Sequence, residues 1–357
     1  MKSKNLNQIR NQIDKLDSQI IELVSKRGRA SFEIGKIKKS KKQAVYSPDR
    51  ESQIYKRVVK KNPGPFSDKS VKAIYREIMS ACLSLEQPIT VAYLGPELTF
   101  THQVSLKKFG SSVNYLSCDS ISDVFMNVEK GNADYGVVPI ENSTEGAVNH
   151  TLDMFIDSAL LICSEVSFSV RHSLLSKAKS IKSISKIYSN PQVFGQCRKW
   201  IEKNAPGAKL RDVTSTARAA EIAAKHADSA CIASELAAKR YNLKVLARSI
   251  EDSATNITRF LVIGKDMPGP SGKDKTSIMF SMKDRPGVLH DTLSSFKKNG
   301  INLTKIESRP SKQKLWKYYF FVDMDGHIQD AKVKKSLKSL EGRCHFVKIM
   351  GSYPRGE

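Results

Sequence analysis

Hydrophobic positions divide the chain into three regimes. Between Leu6 and Ile37, apolar residues recur in steps of mostly three and four, through Ile9, Ile13, Leu16, Ile20 and Ile34, with no proline among them. That spacing predicts one amphipathic helix over residues 5–39. A second helical pattern covers 48–61, Asn62-Pro63-Gly64-Pro65 breaks it, and a third covers 68–86. At 1.5 Å per residue the first helix is about 50 Å long. Fewer than 90 residues of one chain cannot cover it, so two chains are expected to intertwine.

After Pro88 the pattern changes to short apolar runs alternating with helical spacing, as in an α/β region. Val91–Leu94, Tyr135–Ile140 and Ile184–Tyr188 each read as a strand ending in a polar turn, and Ser253–Phe260 leads into a last strand, Phe260–Ile263. In an open α/β sheet ligands bind at the carboxyl ends of strands. The stretch 134–148 reads as strand, polar turn and helix start, and helix N-termini receive small anions; an ordinary N-cap gives the same pattern. A section from about 167 to 248 is expected as an insertion between halves of a first lobe. Residues 267–273 have linker composition, and beyond them the order βαββαβ predicts a ferredoxin-like α+β sandwich.

Charge changes this picture little. The chain carries a formal charge of +23. Lys and Arg outnumber Asp and Glu by 20 to 9 in residues 1–88, 22 to 19 in 89–274 and 17 to 8 in 275–357, so the excess sits at the two ends. No nucleic-acid motif accompanies it, and solvated helix faces that attract anionic metabolites account for it better. Six scattered cysteines without C-x-x-C spacing argue against both a disulfide frame and a metal site. With no apolar leader or membrane-length run, a cytoplasmic protein without membrane contact is expected.

On the first helix, Arg27 and Lys38 lie 11 residues apart, about 16 Å along nearly the same face, so both can reach one small ligand. Arg10 lies about 25 Å from Arg27 and could serve only a partner's site. The segments IRNQIDKLDSQIIELVSKRGRASFEIGKIK, SPDRE and REIMSACLSLEQP, within residues 1–88, are similar to the all-α chorismate mutase class. The resemblance implies a helical bundle in which Arg27, Lys38 and Glu86 are catalytic and Arg10, Arg50 and Glu51 bind substrate. Chorismate, a dianion, rearranges without acid–base chemistry, so the site must hold its reactive conformer and place charge against the breaking ether bond.

PIENSTEGAV at 139–148, SNPQVFGQC at 189–197 and NITRF at 256–260 resemble prephenate dehydratase in order and spacing, over residues 89–267. Leu98 stands where that family usually has glycine. This resemblance implies a two-lobed α/β fold like the type II periplasmic binding proteins, with the site in the cleft. Thr258 is expected as proton donor or hydrogen-bond catalyst. Arg259 is expected to bind a carboxylate or give structural support, and Asn142, Ser143, Thr144, Ser189 and Gln196 to bind prephenate. DRPGVL at 284–289, INLTKIESRP at 301–310 and YFFVDMDG at 319–326 resemble the ACT domain of these dehydratases, within 275–357. It implies a phenylalanine site formed by Gly287, Val288, Leu289, Glu307, Ser308, Arg309 and Pro310.

Together these resemblances imply an enzyme, isomerase and lyase at once, turning chorismate into prephenate and prephenate into phenylpyruvate. Phenylalanine is its expected effector, no cofactor or metal is needed, and a homodimer or larger homo-oligomer is expected. A ligand sensor with the same folds but no chemistry is the rival reading. The proline-bounded helical unit is also expected to work alone as residues 1–88.

Overall fold

The structure, a computed structural model, describes residues 5–41, 43–253, 255–282, 285–310 and 318–356. It forms two compact units. One comprises Met1–Thr90 with Lys108–Asn114, the other Val91–Lys107 with Tyr115–Glu357.

The first unit is built on α1 (Leu6–Ser40), α2 (Pro48–Lys60) and α3 (Asp68–Glu86). Asn5 caps α1 in a capping box with Gln8, Pro48 opens α2, and Ser67 caps α3. α1 buries only Gly28, Ser31 and Gly35. Its apolar stripe stays open: Leu6, Ile9, Ile13, Leu16 and Ile20 are 44% to 62% exposed. Gly35 sets how closely α1 meets the end of α3, since a Cβ there would lie 2.5 Å from the Glu86 carbonyl oxygen.

The second unit runs β1 (Thr90–Leu94), α4 (Phe100–Phe109), β2 (Asn114–Cys118), α5 (Ile121–Lys130), β3 (Tyr135–Asn142), β4 (Gly146–Ala147), α6 (Asn149–Asp157) and β5 (Leu161–Ser169). It continues through β6 (Ser173–Ser176), β7 (Lys186–Ser189), α7 (Pro191–Gln196), α8 (Arg198–Asn204), β8 (Lys209–Asp212), α9 (Thr216–Ala223), β9 (Ser229–Ala233), α10 (Glu235–Arg240), β10 (Lys244–Ala247) and β11 (Ile257–Gly264). The last part is β12 (Asp274–Met282), α11 (Val288–Lys298), β13 (Leu303–Pro310), β14 (Tyr318–Asp325), α12 (Ala331–Glu341) and β15 (Cys344–Pro354). The last two residues of α4, Lys108 and Phe109, belong to the helical unit.

Three sheets result. The first lobe has the order β2-β1-β3-β11-β5, the second β10-β6-β9-β7-β8, and the C-terminal sandwich β13-β14-β12-β15. β11 returns the chain from the second lobe into the first, antiparallel to both β3 and β5. The second sheet is covered on both faces, by the apolar sets around Leu174 and Phe194 and around Ala219 and Leu243. The core of the first lobe continues into the sandwich, taking in Met279, Phe321, Met350 and Tyr353. Among the described residues no helix is long and apolar enough to cross a membrane.

The polar run after β3 closes a β-hairpin onto β4, a feature not expected, and the expected helix follows as α6 from Asn149, whose N-cap Val148 makes no side-chain cap. Asn142 Oδ1 accepts from the backbone N–H groups of Thr144 (2.9 Å) and Glu145 (3.2 Å), and so folds the turn back. Asp284, expected to open the helix after β12, lies outside the described residues.

Candidate active sites

The helical unit contains a cavity of about 340 Å³, lined by Arg27, Lys38, Arg50, Glu51 and Glu86 together with Arg57, Arg76 and Lys108. Six cations thus face two carboxylates, which suits a dianion. Both carboxylates are held by lysines: Lys38 Nζ lies 2.8 Å from Glu86 Oε2, and Lys108 Nζ 2.7 Å from Glu51 Oε2. Arg27 Nη1 is buried without a hydrogen-bond partner among the described residues. A buried guanidinium nitrogen in that state is costly unless a ligand oxygen meets it. Five expected residues therefore converge on one cavity. Arg10, exposed near the start of α1, is not among those lining it.

In the second unit a chain of side-chain hydrogen bonds joins three expected residues to three that were not foreseen. Asn142 Nδ2 donates to Thr258 Oγ1 at 2.7 Å and to Asn256 Oδ1 at 2.9 Å. Asn256 Nδ2 donates to Gln196 Oε1 at 3.0 Å, Gln196 Nε2 donates to Glu145 Oε1 at 2.7 Å, and His172 Nε2 lies 2.8 Å from Gln196 Oε1. Register fixes the first link, because Thr258 on β11 stands opposite Asn142 on β3. Thr258 is buried, and among the described residues its hydroxyl accepts a bond but gives its own proton to none. Burial lowers the His172 pKa, so the ring sits in the network as neutral imidazole.

Three residues expected at the site have their polar atoms engaged by protein partners. Ser189 is fully buried and donates to the Ile232 carbonyl at 2.8 Å. Ser143 Oγ donates to the Thr255 carbonyl and accepts from Ile257 N–H, stitching the turn to the start of β11. Arg259 points away from Thr258, as alternation along a strand requires. Its guanidinium meets Glu165 (2.6 Å), Asp323 (2.6 Å) and the Tyr353 hydroxyl (3.0 Å), contacts that fit structural support, one of the two roles expected of it. Thr144 remains exposed on the turn.

Leu98 adopts φ +70°, the left-handed region that favours glycine, which gives a physical reason for the glycine expected there. Burial pushes the Cys163 thiol up to about 12 and raises those of Cys197 and Cys231, so none of the three is a nucleophile at neutral pH.

In the sandwich, Gly287 caps α11 at φ +74° with open space around its Cα, beside Val288 and Leu289. Glu307, Ser308 and Pro310 lie on the edge strand β13, where Glu307 is half-buried and the other two are exposed. Arg309 on the same strand is paired with Asp153 of α6 at 3.0 Å, which ties the strand to the first lobe.

Known families match all three regions of the chain. The family profile of chorismate mutase type II matches residues 9–87, that of prephenate dehydratase 91–268 and that of the ACT domain 276–342. A bifunctional chorismate mutase/prephenate dehydratase from Aquifex aeolicus is 48% identical over 98% of each chain, and one from Pseudomonas aeruginosa is 42% identical over the same shares. The crystal structure of prephenate dehydratase in complex with L-Phe from Arthrobacter aurescens covers 75% of this chain and 90% of its own, at 32% identity and TM-score 0.69. Two catalytic profiles in one chain, with relatives aligned from end to end, place it in the family of bifunctional chorismate mutase/prephenate dehydratases.

Proposed function

We propose that the chain rearranges chorismate to prephenate in the helical unit and converts prephenate to phenylpyruvate in the two-lobed unit, as steps of phenylalanine biosynthesis in the cytoplasm. The observation that carries the first reading is the unpartnered Arg27 Nη1 in a cavity of six cations. In the reaction, the arginines grip the two carboxylates and hold the ring and side chain in the reactive conformer. Lys38, with Glu86 beside it, stands where negative charge develops on the ether oxygen. Arg10 enters from a second copy. The exposed stripe of α1 supports that pairing, as does an apolar groove of about 800 Å³ lined by Val24, Gly28, Phe32, Ile78, Ala81 and Leu85.

For the dehydratase step, Thr258 is the hydroxyl with a proton to give. Its oxygen accepts from Asn142, which polarises the O–H toward the leaving group. As the carboxylate leaves as CO2, the electron pair of the broken C–C bond enters the ring and the ring hydroxyl departs against the Thr258 hydrogen bond. Asn142, Asn256 and Gln196 fix that hydroxyl in place. Phenylalanine is assigned to the sandwich near Gly287 and Glu307 as an inhibitor, a reading supported by the L-Phe complex of the Arthrobacter aurescens relative. Supplying chorismate and measuring phenylpyruvate, with and without phenylalanine, tests the whole reading. Phenylpyruvate that forms and falls with added phenylalanine is expected; no product from chorismate or from prephenate would refute it in favour of a sensor.

A further inference from the structure

The mutase cavity has a member that residues 1–88 do not supply. Lys108 lies within the span matching the dehydratase profile, yet it belongs to the helical unit and lines its cavity. Its ammonium is 2.7 Å from Glu51 Oε2, with the two side chains only 17% and 12% exposed. The Tyr46 hydroxyl donates to the same oxygen at 2.8 Å, and the Lys108 ammonium lies 5.8 Å from the centre of the Tyr46 ring. The ring centre of Phe109 lies 4.9 Å from that of Tyr46.

The segment carrying Lys108 is fixed in the unit. Ser111 donates through its backbone N–H and its hydroxyl to Glu77 Oε2, at 2.9 and 2.8 Å, and Ser112 N–H donates to Ser80 Oγ at 3.0 Å. Asn114 N–H donates to the Ile89 carbonyl at 3.0 Å. Both bonds to Glu51 fall on Oε2, and among the described residues Oε1 accepts none. One carboxylate oxygen is therefore clamped while the other remains available.

We infer that Lys108 is a positioning residue of the mutase site. It holds Glu51 oriented, so that Oε1 accepts a hydroxyl of the substrate, and its charge offsets the repulsion between the Glu51 carboxylate and a dianion. This rests on the mutase reading above. It also means that the mutase site is completed by sequence on the dehydratase side of Pro88, so residues 1–88 alone lack part of it.

The test uses the full-length protein and steady-state kinetics of both reactions. Lys108→Met keeps the apolar stem and removes the charge. It is expected to raise the mutase KM for chorismate about tenfold with a smaller change in kcat, the pattern of lost ground-state binding. Lys108→Arg should restore KM to near wild type, and dehydratase constants on prephenate should be unchanged in both variants, which also reports that the chain is folded. In a Glu51→Gln background, Lys108→Met should add little, because the two act as a unit. An unchanged mutase KM in Lys108→Met, or full additivity with Glu51→Gln, would overturn the inference while leaving the mutase reading intact. Wild-type protein that does not rearrange chorismate at all would overturn both.

Discussion

At the scale of residues, the proposed dehydratase site comes down to one hydroxyl and the amides that aim it. Thr258→Ala removes a single hydrogen bond to the leaving group, and dehydratase kcat should fall by roughly ten- to a thousandfold; equal kcat would take Thr258 out of the mechanism. Thr258, Asn142 and Gln196 were legible because their motifs carry them. Asn256 lies in the same NITRF motif as Thr258, but its bond to Gln196 across 60 residues was not foreseen, and His172, whose bond to Gln196 spans 24 residues, lies in none of these motifs. His172 also makes stability depend on pH. Its folded pKa is lowered by burial, so the unfolded chain takes up the proton first; the contribution is complete above the unfolded value of about 6.5 and declines as pH falls below it. Melting temperatures between pH 7 and pH 5 should drop more steeply in wild type than in His172→Asn, and parallel slopes would contradict this.

At the scale of elements, alternation along β11 sends adjacent side chains to two different clusters. Thr258 meets the Asn142 amide on β3, and Arg259, the next residue, meets the sandwich strands through Asp323 on β14 and Tyr353 on β15. Burial holds the Tyr353 phenol well above its ordinary range, so it remains a neutral hydroxyl within this cluster. Arg259→Met would leave Glu165 and Asp323 buried beside each other with Lys275 alone to offset them. We expect a loss of about 3–5 kcal/mol in urea unfolding; a loss under about 1 kcal/mol, the range of exposed pairs, would show the cluster to be dispensable. Helical periodicity made α1, α2 and α3 readable almost to the residue. The short strand β4 in the turn after β3 was not legible, because a hairpin closed by Asn142 and a helix N-cap use the same polar residues. Lys108 was invisible for a different reason: its partner Glu51 lies 57 residues earlier, across a change of fold.

At the scale of the whole molecule, the mutase site needs a second copy if Arg10 is to reach it. Arg10→Ala and Arg27→Ala should each lack most mutase activity. Mixing the two after dissociation should restore about a quarter of the wild-type rate, since half the dimers are mixed and each of those carries one intact site. A mixture no more active than its components would place Arg10 outside the site. The sandwich, for its part, is no detachable sensor, because Met279, Phe321, Met350 and Tyr353 complete the core of the first lobe. That continuity was hidden in a sequence where the linker 267–273 reads as a clean boundary.

The central claim is that one chain carries two chemically separate sites acting in succession. It is tested most directly by following chorismate, prephenate and phenylpyruvate together in Arg27→Ala and Thr258→Ala. Arg27→Ala should leave chorismate largely unconverted yet turn added prephenate into phenylpyruvate at the wild-type rate. Thr258→Ala should consume chorismate at the wild-type rate and accumulate prephenate. If either substitution abolished both conversions in a folded protein, or if Thr258→Ala still delivered phenylpyruvate at the wild-type rate, the assignment of the two sites would be contradicted.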